Sequence, residues 1–160
     1  MSIKVRYIYS ACIVLETEDV KILCDPWVSE GVYDGSWYHY PKLENPIDVI
    51  GFTDLIYISH IHPDHYDPKF LKVYLAKYPK TKIIIAPFQN NFLSKRMQLD
   101  KIPHNIETNI LLGNTKLWLI PNERAWFDVD SALLVEHKGH TVVNMNDNIY
   151  NQDTIKHYHI

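Results

Sequence analysis

The densest run of chemically capable side chains is Ser59-His60-Ile61-His62-Pro63-Asp64-His65-Tyr66-Asp67. Three imidazoles and a carboxylate fall within six residues, just past the apolar run Leu55-Ile56-Tyr57-Ile58. If strand geometry continues beyond that run, His60 and His62 project to one side, because side chains on a strand alternate. Two neutral imidazoles so placed can share one cation. Asp64 and His65, on the turn that follows, can hold a second. Imidazole and carboxylate together suit Zn, Fe or Mn. Nine histidines in the chain make some clustering expected. A strict His-x-His-x-Asp-His order at the end of an apolar run is much rarer by accident. Pro63 ends any strand there and stiffens the loop.

The elements around this loop must hold it. Upstream, Ile3 to Ile8 alternates as a half-buried strand does, Ala11 to Leu15 is a second apolar run, and Val20 to Cys24 a third. With Glu18-Asp19 as a turn, they read as an antiparallel meander. Asp25 precedes a proline, which predicts an extended backbone and a carboxylate held near the sheet end. It is either a turn residue or a support for the site. Val32 to Tyr40 is a loop dense in aromatics and broken at Gly35. It either walls a substrate, with Trp37 and Tyr38 as the contact residues, or packs its rings on the body of the domain. Asn45 to Asp54 reads as a connector.

Downstream, Asp67-Pro68 reads as a helix cap and first helical residue. Phe70, Leu71, Tyr74, Leu75 and Tyr78 share one helical face, and Pro79 stops it. Lys82 to Ala86 is a buried strand. Asn90 to Leu99 is a weaker helix with Met97 as core filling. Ile110 to Leu112 and Lys116 to Ile120 flank the hairpin signal Gly113-Asn114. Ser131 to Glu136 and His140 to Asn146 are the last strands, joined at Lys138-Gly139. His137 and His140 beside that turn read as surface residues, and Lys77, Lys80 and Lys82 as a solubilising cluster.

With 160 residues, the chain reads as one domain over 1–160 with a single core. Apolar residues make up 46% and charged residues 22%, an ordinary globular balance. A net charge of −3 gives no attraction to nucleic acid. The two cysteines, Cys12 and Cys24, lie in strand-like runs and read as buried thiols. No run is long and apolar enough to span a membrane, and charges interrupt the first residues. These features predict a reduced, cytoplasmic setting without membrane contact.

Strand–His60-Ile61-His62-Pro63-Asp64-His65–helix resembles the metallo-β-lactamase superfamily signature. Three blocks resemble the metallo-β-lactamase-like part of CMP-N-acetylneuraminate hydroxylases: Cys24-Asp25-Pro26-Trp27, Asp54 to His60, and Val135 to His140 leading to Asn146-Asp147. The resemblance implies an α/β fold, a four-layer αββα sandwich, truncated here at the C-terminus and matching about two thirds of such a domain. It implies that His60 and His62 bind a first ion, that Asp64 and His65 bind a second, and that Asp147 bridges the two. The ion, Zn with Fe or Mn as alternatives, lowers the pKa of bound water toward about 7, and Asp64 can orient that water as a base.

The pattern departs from the family at two places. Pro121 to Asp130 has no histidine where one is expected. Trp126 stands at that position, with Glu123, Asp128 and Asp130 as the candidate substitutes. The last expected histidine falls beyond Asp147, where His157 and His159 sit in a polar tail that either is solvated or folds back. The resemblance therefore implies a metal-dependent hydrolase of a small, polar, sugar-derived substrate. The alternatives are a subunit or relic of a nucleotide-sugar hydroxylase, and a binding module without activity. An exposed edge strand in a truncated sandwich predicts a homodimer that completes the sheet.

Overall fold

Strand order is dictated by which runs are apolar on both faces. The computed structural model describes residues 3–29, 31–125 and 128–148. The meander forms as β1 (Lys4–Tyr9), β2 (Cys12–Glu16) and β3 (Lys21–Cys24), each antiparallel to the next. β4 (Leu55–Tyr57) and β5 (Lys82–Ile85) then pair in parallel beside β3, and the short β6 (Asn105–Ile106) closes the row. The result is a six-stranded sheet in sequence order. β4 is central, and all three of its residues are buried. That is the burial expected of a parallel strand covered on both sides.

On one face, Leu23, Ile56, Ile83 and Ile85 meet Phe70, Leu71 and Tyr74 of α2 (Pro68–Lys77) and Leu93 and Met97 of α3 (Phe92–Leu99). On the other face, Leu15, Ile22, Tyr57 and Ile84 meet Leu117, Leu119, Leu133 and Val135. These last residues belong to a four-stranded sheet of β7 (Asn109–Leu112), β8 (Thr115–Ala125), β9 (Asp128–His137) and β10 (His140–Asn144), in the order β10-β9-β8-β7. Among the described residues the layers run helix, sheet, sheet, and the class is the α/β one expected. Each fully buried Leu, Ile or Phe contributes about 1.5–3 kcal/mol of transfer free energy. No helix among the described residues is long and apolar enough to cross a membrane.

Asp67 connects helix and loop. Its Oδ1 accepts the Phe70 N–H at 3.0 Å and caps α2, with Pro68 in the first turn. Its Oδ2 accepts the Ser29 N–H at 3.1 Å and the Val28 N–H at 3.4 Å. One carboxylate therefore joins the helix after the histidine loop to the segment after β3.

Three expectations are corrected. Asn45–Asp54 is not only a connector, since α1 (Pro46–Ile50) forms within it and buries Ile50. Asp25 is not extended; its φ is 41°. Its N–H continues the ladder to Tyr57 O at 2.9 Å, and its own carbonyl accepts the Trp27 N–H at 2.8 Å. Those bonds outweigh the local preference of a residue before proline. His137 is not a surface residue but fully buried. Its Nδ1 lies 2.8 Å from Thr115 Oγ1 and 3.5 Å from Asp19 Oδ2. The same Asp19 oxygen accepts the Asn114 N–H at 2.9 Å, so these residues clip the two sheets together. A Cβ at Gly113 would sit 2.4 Å from Asp19 Oδ1, so glycine is required for this approach.

Candidate metal centre

The site lies where β3 and β4 end and β9 begins, on one side of the fold. β4 stops at Tyr57, and the chain then delivers Ser59, His60 and the loop to Asp67. His60 and His65 are almost wholly buried, at 4% and 2% exposure, while His62 is exposed. His60 Nε2 and His62 Nδ1 are 2.8 Å apart, although neither residue belongs to a strand. Asp147 follows β10, and its Oδ2 lies 3.7 Å from His60 Nε2 and 3.4 Å from His65 Nε2. Asp64 Oδ2 is 3.5 Å from His65 Nε2. All five expected donors therefore come together. His60, His62 and Asp147 each offer a ligand atom within 4.8 Å of the others.

Two buried carboxylates stand behind the imidazoles. Asp130 Oδ1 is 3.2 Å from His60 Nδ1, and Asp25 Oδ2 is 3.2 Å from His65 Nδ1. Ser59 Oγ lies between the rings, 2.9 Å from His60 Nδ1 and 3.3 Å from His65 Nδ1. Each carboxylate lies within ion-pair distance of an Nδ1, with Ser59 Oγ as the hydrogen-bond partner of both, so the Nδ1 side of each ring is occupied and Nε2 is left to ligate. This is the usual carboxylate–histidine arrangement behind a metal ion. Asp25 is itself oriented by the Ser59 N–H, which donates to Oδ1 at 2.7 Å. Asp130 Oδ1 also accepts the Ser131 N–H at 2.6 Å.

Electrostatics follow from this crowding. Burial lowers the pKa of His65, but the Asp25 hydrogen bond and the charges of Asp25, Asp64 and Asp147 outweigh it and raise it to about 9. Burial and the neighbouring His60 hold His62 below the ordinary range, so it stays a neutral imidazole. The ion-pair partners of Asp25, Asp130 and Asp147 among the described residues are imidazoles, with no lysine or arginine. Such a cluster of carboxylates and imidazole nitrogens fits a divalent cation.

Other sequence-derived candidates fall differently. Asp130 sits behind His60 on the Nδ1 side, away from the Nε2 that faces Asp147. Trp126, His157, His159 and the side chains of Glu123 and Asp128 lie outside the described residues. Trp37 and Tyr38 are 54% and 71% exposed, and Trp37 makes an edge contact with Tyr33. Tyr33 is the residue that sequence reasoning missed. Its phenol donates to Asp64 Oδ1 at 2.7 Å. Partial burial and the Asp64 carboxylate push its pKa up to about 12. A cavity of about 420 Å³ adjoins the loop, lined by Ile61 and Pro63 on one side and Trp27 and Val32 on the other.

Known proteins resemble this chain in sequence and in fold. A Mycolicibacterium smegmatis protein named as a Rieske 2Fe-2S iron-sulfur protein is 31% identical over 151 residues, covering 84% of this chain and 27% of that protein. The cytidine monophosphate-N-acetylneuraminic acid hydroxylase of Danio rerio is 28% identical over 156 residues, covering 91% and 26%. The chain thus spans about a quarter of the length of these relatives. Among solved structures, a possible metal-dependent hydrolase from Veillonella parvula DSM 2008 superposes with a TM-score of 0.70 at 16% identity, over 98% of this chain and 66% of that one. CmlA, a diiron beta-hydroxylase from Streptomyces venezuelae, gives 0.62 at 15% identity, over 99% and 32%. Residues 4–154 match the model of the Beta-lactamase superfamily domain, and the chain belongs to that family.

Proposed function

We propose that this chain is a metal-dependent hydrolase of a small polar substrate, with a sugar-derived ester, lactone or phosphodiester as the substrate class. His60, His62, Asp64, His65 and Asp147 would hold one or two divalent ions, with Zn first and Fe or Mn as alternatives. The observation that carries the reading is the convergence of Asp147 on His60 and His65, each backed by its own buried carboxylate.

When bound, such an ion supplies hydroxide at neutral pH and polarises a carbonyl or phosphoryl oxygen. The protein's own residues do the rest. Asp25 and Asp130 keep the Nδ1 protons on His65 and His60. Ser59 fixes the spacing of the two rings. Asp64 Oδ2 faces the donors and can take a proton from a water beside it. The exposed sides of His62 and Asp147 leave the approach from solvent open to substrate. Trp37 and Tyr38 would serve as substrate contacts on that approach, Trp37 being linked to it through Tyr33. The test is metal content together with hydrolysis across an ester, lactone and phosphodiester panel. Activity present in the parent and lost in His62→Ala supports the reading; a parent protein without metal affinity removes it.

The curated matches favour a second reading, a subunit or relic of a nucleotide-sugar hydroxylase. CmlA is described as a diiron enzyme, so Fe stays among the metals to test. A Rieske centre needs paired Cys and His ligands. Cys12 and Cys24 are free and buried in different cores, one under the helices and one between the sheets. Hydroxylation would therefore need electrons from an iron–sulfur centre outside these 160 residues, and turnover restored by a ferredoxin-type protein would favour it. The third reading, a binding module without turnover, predicts tight metal binding and no hydrolysis; Trp126→His separates it by whether activity appears.

A homodimer is proposed through β10, an edge strand among the described residues whose sequence His140-Thr141-Val142-Val143-Asn144 lacks Pro, Lys and Arg. β1, by contrast, carries Lys4 and Arg6, which blunt an edge. A monomeric mass by light scattering at micromolar concentration overturns the dimer.

A further inference from the structure

We infer that Tyr33 is a positioning residue for Asp64, holding that carboxylate turned toward His65. The inference deepens the hydrolase reading and rests on it for its consequence, but not for its geometry. Tyr33 Oη donates to Asp64 Oδ1 at 2.7 Å, and Asp64 Oδ2 is left 3.5 Å from His65 Nε2. Among the described residues no other side-chain hydrogen bond to Asp64 is seen, so the phenol selects which oxygen faces the donors.

The backbone that brings the phenol there is strained. Val32 and Trp37 exchange backbone bonds at 2.9 and 3.2 Å and form a closed arm. Inside it Tyr33, Asp34 and Gly35 all have positive φ, at 52°, 55° and 83°. Glycine adopts this region without penalty, whereas Tyr and Asp carry a steric cost. Consecutive non-glycine residues persist in it only where the surroundings fix them. Three contacts do so. Gly31 admits the Trp37 carbonyl, which a Cβ would meet at 2.9 Å. The Trp37 ring packs edge-on against Tyr33 at 5.2 Å. The phenol itself is anchored on Asp64. An arm built this way places one functional atom, the Tyr33 hydroxyl, at the donor cluster. Asp64 held at one oxygen presents the other for a water or an ion. Without the phenol the carboxylate is free to turn about its χ2 bond, and the cluster loses a fixed donor.

The test uses the full chain and Tyr33→Phe, which removes one oxygen atom from a ring 40% exposed. Two measurements are made side by side, a crystal structure of the metal-free variant and a Co²⁺ titration of parent and variant. In the variant crystal Asp64 Oδ2 turns away from His65, and Co²⁺ affinity falls about tenfold, the lower end for loss of an outer partner. The metal-free thermal midpoint moves by only about 2–4 °C, as for one partly exposed hydrogen bond. An unmoved Asp64 in the variant crystal, or Co²⁺ affinity within twofold of the parent, overturns the inference. A parent that takes up no Co²⁺ removes the hydrolase reading, while the crystal comparison still decides the role of Tyr33.

Discussion

Asp130 lies directly behind His60, with Oδ1 at 3.2 Å from Nδ1 and both side chains no more than 6% exposed. From the sequence, this carboxylate is a candidate substitute for a missing ligand. In the fold it instead stands on the Nδ1 side of His60, where it can orient the ring. Asp130→Asn keeps the shape and removes the charge. It should weaken metal binding by about 10–100-fold, the usual effect of losing such a partner. Competition with a chromophoric chelator measures this, and an unchanged affinity would show that Asp130 only packs.

A metal bound at the proposed site would compete with the proton on His65. Its folded pKa is raised from 6.5 to about 9 in the absence of metal. A group whose folded pKa is raised stabilises the fold fully below its unfolded pKa and loses that contribution as pH rises through the folded one. The metal-free protein should therefore lose on the order of 2–3 kcal/mol between about pH 6.5 and pH 9. An ion that occupies the place of the proton should flatten this decline. Urea unfolding at several pH values, with and without Zn²⁺, checks both halves. A metal-free protein equally stable at pH 6.5 and 9 would contradict the assignment.

The histidine loop and α2 were readable because their signals are local. His60 to His65 falls in six residues, and Asp67-Pro68 is a cap followed by a first helical residue. Asp147, more than eighty residues away from His60 in sequence, was reached only through resemblance, since no spacing links it to the loop. Tyr33 was hidden in a loop crowded with similar rings, and only the turn at Tyr33-Asp34-Gly35 singles it out. His137 misled for the opposite reason. It stands beside a turn, yet β9 continues to it, and pairing with Thr115 buries it between the sheets. It lies seven residues along β9 from Asp130, so about 23 Å separates it from the site. The Asp25 backbone followed its tertiary bonds to Tyr57 and Trp27 rather than the preference of a residue before proline.

Asp67 is expected to matter for stability more than an ordinary cap. A cap alone contributes about 0.5–2 kcal/mol. Asp67 also accepts from Val28 and Ser29 and is buried. Asp67→Ala should cost about 2–3 kcal/mol, since loss of a buried acceptor leaves amides unpaired. Denaturant unfolding reads the value, and a loss under about 0.5 kcal/mol, the low end for a cap, would show that water replaces the carboxylate.

Ser131 joins the sheets beneath the site. Tyr57 Oη is 2.7 Å from Ser131 Oγ, which donates to Ser59 O at 2.9 Å. All three residues are fully buried. Ser131→Ala leaves both partners unsatisfied and should cost about 1–3 kcal/mol. It should also lower metal affinity, because Ser59 stands between the two imidazoles. Calorimetry with and without Zn²⁺ separates the two effects; a stability loss with unchanged affinity would limit Ser131 to the core.

The chemistry proposed for this chain depends on a divalent ion held by the loop imidazoles and Asp147. Equilibrium dialysis against Zn²⁺, Fe²⁺ and Mn²⁺, followed by elemental analysis, tests that binding in one step. One or two tightly held equivalents are expected in the parent and none in the double variant His60→Ala/His62→Ala, with both proteins folded by circular dichroism. A parent that retains no ion, or a double variant that retains as much as the parent, would contradict it.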